Sequence, residues 1–129
     1  MDLPTPTGAP LSPEEIKARQ WGMIIHLSIM AGYLVPFAGF VVPVLLWQLK
    51  KHEHALLDAH GKNVANWLLS LLVYAAVAWM MIFTLIGAVI GIPALCLLAL
   101  LNVVFAIVGG IKANDGVVWA YPFTIRFFS

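Results

Sequence analysis

Charged side chains are absent from two long stretches of the chain, residues 20–49 and 63–111, and a short polar segment rich in histidine separates them. A helix crossing hydrocarbon needs about 20 residues, with a range of about 17 to 25. The second stretch is therefore long enough for two helices, predicted over Val64–Ile86 and Ile92–Ile111. Gly87, Gly91 and Pro93 mark the turn between them, because glycine tolerates left-handed torsions and proline removes a backbone donor. The first stretch is intermediate. As one straight helix it would reach about 45 Å, well past a hydrocarbon core of about 30 Å. Pro36, Gly39 and Pro43 lie at its centre and predict a break there. Two solutions remain: a hairpin of short, tilted or re-entrant helices, or one kinked span.

The distribution of charge favours the hairpin. With two hairpins, the N-terminus, the segment 50–62 and the C-terminal tail share one side, and every formal charge lies on it. Lys17, Arg19, Lys50, Lys51, Lys62, Lys112 and Arg126 then all obey the positive-inside bias. Trp21, Trp47, Trp67 and Trp119, each near the edge of an uncharged stretch, gather at the headgroup boundary that tryptophan prefers, while Trp79 falls mid-span. The expected fold is an all-α integral membrane protein of two helical hairpins. Its four membrane helices have a first pair that is short or partly re-entrant, and both termini are cytoplasmic. Residues 1–11 read as a disordered segment, 12–111 as the membrane domain with a cytoplasmic loop at 50–62, and 112–129 as an aromatic interfacial tail. A weak likeness between the two uncharged stretches is equally explained by membrane composition.

The opening residues have no basic region before an apolar core and do not read as a secretory signal. Ser12, Pro13 and Glu15 instead predict a helix start, with Ser12 as N-cap and Pro13 in the first turn, so helix one begins in water. Composition agrees: 62% of the 129 residues are apolar and 10% charged, far from the usual soluble balance. A net charge of +1 leaves no basic surface for nucleic acid. Cys96 is the single cysteine, so neither a disulfide framework nor a thiolate metal cage can be built.

Candidate polar chemistry is sparse. His26 lies inside the first span, where its ring must face the bundle or the interface. It reads as a helix-packing group bonded to a neighbouring helix, with a proton-relay or ligand role as the alternative. Asn66, Ser70 and Tyr74 recur every four residues, with Asn63 nearby, and give the third span a polar stripe. Asn102, Ala106 and Gly109 or Gly110 form a matching small-residue face on the last span, expected to pack against that stripe. Gly87 and Gly91 satisfy a G-x-x-x-G spacing, but a turn role is expected. His52, Glu53, His54, Asp58 and His60 are the one group that could be imagined around a metal, yet the spacing is not H-E-x-x-H. A solvated interfacial loop explains it more cheaply; the alternatives are metal binding and pH-sensitive contacts to a partner, since histidine titrates near neutrality. No metal, cofactor or catalytic residue is expected. In the tail, Trp119, Tyr121, Pro122, Phe123 and Arg126 are expected at the membrane surface or on another chain, the arginine reaching headgroup phosphates.

His26-Leu27-Ser28, "VPVLLWQLKK", "AHGKNVANWLLSLLVY" and the closing "IKANDGVVWAYPFTIRF" together resemble a group of small bacterial membrane proteins of unknown function. That group is similar to the twenty-kilodalton component of the chloroplast inner-envelope import translocon. The likeness spans roughly Arg19 to Phe128, and Lys112, Ala113, Gly116, Tyr121 and Pro122 are its most specific part. It implies four membrane helices with both ends cytoplasmic or stromal. The expected function is that of a small non-enzymatic, multi-pass protein of the bacterial inner membrane, acting as subunit, adaptor or assembly factor of a larger complex. The alternative is a transport or protein-translocation element contributing helices to an oligomeric pathway. Expected partners are the lipid bilayer and another membrane protein or further copies of the chain, with no nucleic acid.

Overall fold

The structure, a computed structural model, describes residues 9–128; most of the N-terminal segment 1–11 lies outside them. Four helices follow in order: α1 (Pro13–Leu27), α2 (Ala38–Lys50), α3 (Ala55–Ile82) and α4 (Leu85–Asn114). A 3₁₀ segment, Ser28–Tyr33, extends α1, and there is no strand among the described residues. Helix α1 starts on Ser12, whose side chain accepts from the Glu15 backbone N–H at 3.1 Å, with Pro13 in the first turn. Such a cap satisfies one of the donors that a helix start leaves free.

Helix ends depart from the expected breaks. The first uncharged stretch does fold back on itself, but at Ser28–Phe37, with only Pro36 of the three expected breakers in the turn; Gly39 and Pro43 lie inside α2. Phe37 occupies the left-handed N-cap of α2 with φ 66°. In the second stretch the turn is Phe83–Thr84, and Gly87, Gly91 and Pro93 all lie inside α4. The polar segment 50–62 is mostly helix: α3 already begins at Ala55, capped by His54, whose ring accepts from the Leu56 backbone N–H at 3.1 Å. Proline inside a helix loses one bond, and away from water helix is still the cheapest way to satisfy the remaining backbone groups. The breakers are absorbed for that reason.

The glycines show what the breaks were mistaken for. A Cβ on Gly39 would stand 2.6 Å from the Ile29 carbonyl oxygen and 3.0 Å from Gly32 Cα, so the two arms of the first hairpin touch backbone to backbone. Gly91 would meet the Ala78 carbonyl oxygen at 2.7 Å, which puts the G-x-x-x-G pair against α3 of the same chain. Gly61 lies under the Trp47 ring. Close backbone approach, rather than turning, is their common function.

Helices α1, α3 and α4 pack on one another, and α2 packs on the 3₁₀ segment and α3. Arg19 lies against Gly116, while His26 and Leu27 lie against Gly109 and Gly110, so α1 and α4 are antiparallel. Lys50 Nζ sits 4.3 Å from the Trp21 ring centroid. The start of α1, the α2–α3 turn and the end of α4 therefore share one end of the bundle, together with nearly all its charge. Helices α3 and α4, of 28 and 30 residues, are long and apolar enough to cross a membrane. Only 33% and 28% of their most apolar stretches are buried inside the protein. A soluble core helix hides such a surface; here Val77, Trp79, Met80, Val89, Leu97 and Leu100 point outward. Helix α2, with 13 residues, reaches about 20 Å.

At the charged end Trp47 Nε1 donates to Asp58 Oδ1 at 2.9 Å, and Lys62 pairs with Asp58 at 2.7 Å. The Lys62 hydrogen bond holds the Asp58 carboxyl below its ordinary 3.8, and the Trp47 indole adds to this. The contribution is complete above that ordinary value and is lost as pH falls through the lowered one. It is small, because the Asp58 side chain is 34% exposed. An acid titration of tryptophan fluorescence in detergent should show a step below about pH 4 that is absent in Asp58→Asn. Gly39→Ala should destabilise the detergent-solubilised protein by about 1–3 kcal/mol by overpacking. Gly110→Ala, whose Cβ would meet the flexible Leu27 side chain at 3.2 Å and the Met23 carbonyl oxygen at an ordinary 3.5 Å, should stay close to wild type; equal effects would contradict the backbone contact in the first hairpin.

Candidate functional site

Away from water, each polar side chain has to find a partner within the protein. Among the described residues, His26, His60, Asn66, Ser70 and Asn102 are such groups buried in the bundle. They sort into two arrangements.

The first is a cluster joining α1, α3 and the tail. His26 Nε2 and His60 Nδ1 are 3.1 Å apart, and His26 Nδ1 is hydrogen-bonded to the Tyr121 hydroxyl. Both imidazoles are fully buried, and Tyr121 is 4% exposed. Glycines make the room: a Cβ on Gly22 would come within 2.7 Å of the His60 ring, and one on Gly109 within 2.5 Å of His26. Aromatic rings enclose the cluster, with Trp67, Phe105 and Trp119 all in ring contact with Tyr121. Below it, Trp67 Nε1 donates to Asn102 Oδ1 at 2.8 Å, and the Asn102 amide nitrogen lies 3.4 Å from the Tyr33 hydroxyl. Ala106, fully buried, completes that face of α4.

The second arrangement is the α3 polar stripe, and its partner differs from the expected one. The stripe does not pack on Asn102 and Ala106 but binds the backbone of the C-terminal tail. Asn63 Nδ2 donates to the Trp119 carbonyl at 2.9 Å, and the Tyr74 hydroxyl donates to the Phe123 carbonyl. Ser70 Oγ accepts from the Ile125 N–H at 2.8 Å. Asn66 Oδ1 accepts from the N–H groups of Phe127 and Phe128 at 2.9 and 2.7 Å, and its Nδ2 donates to the Phe128 carbonyl at 2.9 Å. The tail thus descends along α3 from Asn63 to Tyr74, reverses near Pro122–Phe123, where Phe123 has φ 61°, and climbs back to Asn66. Phe128 ends edge-on against the Trp47 ring, with centroids 5.5 Å apart.

These contacts correct the interfacial reading of several residues. Trp67, expected at the headgroup boundary, is 1% exposed in the core. Tyr121, expected on the membrane surface, is a core residue bonded to His26. Trp47 is largely buried. Trp21 and Trp119 are partly buried, and Pro122, Phe123 and Arg126 are exposed. The histidine-rich segment disperses: His54 caps α3, Asp58 takes the Trp47 indole and Lys62, and His60 turns into the core. Among the described residues no group of three His, Cys, Asp or Glu side chains converges as a metal site would require. His60, expected in a solvated loop, lies fully buried on α3. The Asp58/Lys62 pair at i, i+4 signals that the helix already runs through it, and His60 then shares a face with Leu57, Val64 and Trp67.

The chain belongs to the magnetosome magnetite crystal formation protein family (MamF/MmsF), whose sequence profile it matches over residues 17–128. The match runs from within α1 through α2, α3 and α4 to the tail at Phe128. It supports a small bacterial membrane-type protein, and nothing in it supports a likeness to the import translocon. No curated protein and no solved structure matches the chain.

Asn66→Leu removes three bonds to the tail and leaves part-buried backbone groups of Phe127 and Phe128 without their side-chain partner. It should free the tail by about 2 kcal/mol, roughly thirtyfold in docked population. A cysteine at Ile125, in a Cys96→Ala background, should then be labelled correspondingly faster by a water-soluble maleimide. Unchanged labelling would contradict the docked tail.

Proposed function

We propose that this member of the magnetosome magnetite crystal formation family is a non-enzymatic, multi-pass protein of the magnetosome membrane. In this reading it serves as a subunit or assembly factor of the complex in which the crystal forms. The family match over residues 17–128 carries the proposal. Two features of the molecule support it. The buried side chains of His26, His60, Asn66, Ser70 and Asn102 are hydrogen-bonded within the protein, and the outer faces of α2, α3 and α4 are apolar and open to lipid or to other membrane helices. Four helices cross or enter the bilayer, the first two as a short hairpin. The end carrying Lys17, Arg19, Lys50, Lys51, Lys62 and Lys112 faces the cytoplasm under the positive-inside bias.

Removing the chain from a crystal-forming cell should change crystal size or number in electron micrographs. A tagged copy should co-purify in mild detergent with other proteins of the same membrane. Unaltered crystals together with a tagged protein spread over the whole cell envelope would refute the reading. Reporter fusions after Glu53 and Phe128 should read as cytoplasmic, and one in the Phe83–Thr84 turn as the opposite side; termini on opposite faces would refute the topology.

A further inference from the structure

We propose that the protein is a wedge within the bilayer and prefers lipid surfaces that are curved convex on the face carrying its charged end. The wedge rests on the membrane placement given above and is independent of crystal formation. Its shape comes from how far each element reaches along the bundle.

Helices α3 and α4 run its whole length, while everything else stops part-way. The first hairpin is tied near its tip by the Tyr33 hydroxyl, which donates to the Ala99 carbonyl at 2.7 Å. From that level α4 continues about a further 21 Å to its start at Leu85. The tail reverses where the Tyr74 hydroxyl meets the Phe123 carbonyl. Beyond these two levels the α3–α4 pair stands by itself. Among the described residues of 75–98, Ala78, Gly87 and Gly91 alone are buried, and a Cβ on Gly91 would meet the Ala78 carbonyl oxygen and the Ile82 side chain of the facing helix. Nearer the charged end the same two helices are enclosed by α1, α2 and the tail, and Leu57, Val64, Trp67 and Ala106 are at most 1% exposed.

The hairpin turn suits hydrocarbon. No polar side chain lies between Leu34 and Val44, and Leu34, Val35 and Phe37 point outward. The Leu34 and Val35 N–H groups bond to the Ala31 carbonyl and the Ala38 N–H to that of Val35, while Pro36 has no donor to satisfy. With Lys50 at the headgroups, α2 carries this tip about 20 Å into a core of about 30 Å.

In cross-section the leaflet on the charged side therefore holds four helices and the folded tail, and most of the other leaflet holds two helices. At about 10–12 Å across per helix, the excess is roughly 200 Å² per copy before the tail is added. A leaflet that gains area its partner does not gain is relieved by bending, convex on the side of the gain. Each copy then costs less where the surface already bends that way. Amphipathic helices that lie in one leaflet are curvature-sensitive on the same ground.

The test is orientation against vesicle size. The full chain, with His52→Cys at the exposed charged end in a Cys96→Ala background, is reconstituted into giant and into small sonicated vesicles of one lipid composition. An impermeant maleimide counts the charged ends facing outward, and labelling after detergent counts the rest. The outward-to-inward ratio should rise about fivefold from giant to small vesicles, equivalent to about 1 kcal/mol. An equal ratio in both would overturn the wedge. Removing residues 2–11, which precede α1, should leave the rise intact; its loss would show that chain outside the membrane sets the orientation, and would also overturn the wedge. In the same Cys96→Ala background, a spin label on Leu34→Cys should be reached by oxygen and hidden from a water-soluble nickel chelate. Access by the chelate would mean that the hairpin crosses completely, which removes the wedge but leaves the two-hairpin topology standing. Extraction of the protein from the vesicles by alkaline carbonate would instead overturn the membrane placement, and the wedge with it.

Discussion

Backbone that is not helical has to find hydrogen-bond partners wherever water is excluded, and the C-terminal tail is where this constraint organises the molecule. Residues 117–128 form no helix, yet they lie against the apolar body of α3. Several of their N–H and C=O groups, from Trp119 to Phe128, are met by Asn63, Asn66, Ser70 and Tyr74. Non-helical backbone at membrane depth is tolerated only when protein or a water-filled cavity covers it. The polar stripe of α3 is thus a set of substitute partners for the tail. Its individual bonds are weak in a membrane setting, about 0.6 kcal/mol each on average, but several act together on one short segment.

Docking the tail has a second effect, because it carries Tyr121 into the core. The phenol reaches His26, which in turn bonds His60, so three segments distant in sequence are tied at one point. The glycines at 22 and 109 are the steric condition for this, since neither imidazole would fit against a Cβ there. The same economy recurs in the first hairpin, where Gly32 and Gly39 meet. The helices approach closely at these glycines and expose large apolar side chains elsewhere.

The sequence was legible where solvent decides the structure. The charge-free stretches at 20–49 and 63–111 announce four helices in two hairpins, and Ser12 with Pro13 announces the first helix start. It was misleading where proline and glycine serve packing. Pro43, Gly87, Gly91 and Pro93 read as breaks and lie inside helices, because a helix in apolar surroundings absorbs one lost bond more readily than it unwinds. The stripe on α3 was visible from its period of four, but its partner was not: periodicity shows which side of a helix is polar and says nothing about what lies opposite. His60 was hidden by its neighbours, since "HEHALLDAH" has the composition of a solvated loop. The functional context was the least legible part, and it rests on the family match.

The central claim is that the tail docks on the bundle along α3 and is held where Tyr121 enters the core and meets His26. Solid-state NMR on the protein in bilayers, with nitrogen-15 histidine and carbon-13 tyrosine, tests it most directly. The account predicts cross-peaks from the Tyr121 ring to the His26 imidazole, and a direct coupling between the His26 and His60 ring nitrogens that survives deuterated buffer. A Tyr121 resonance in contact with lipid headgroups or water, with no histidine neighbour, would contradict it.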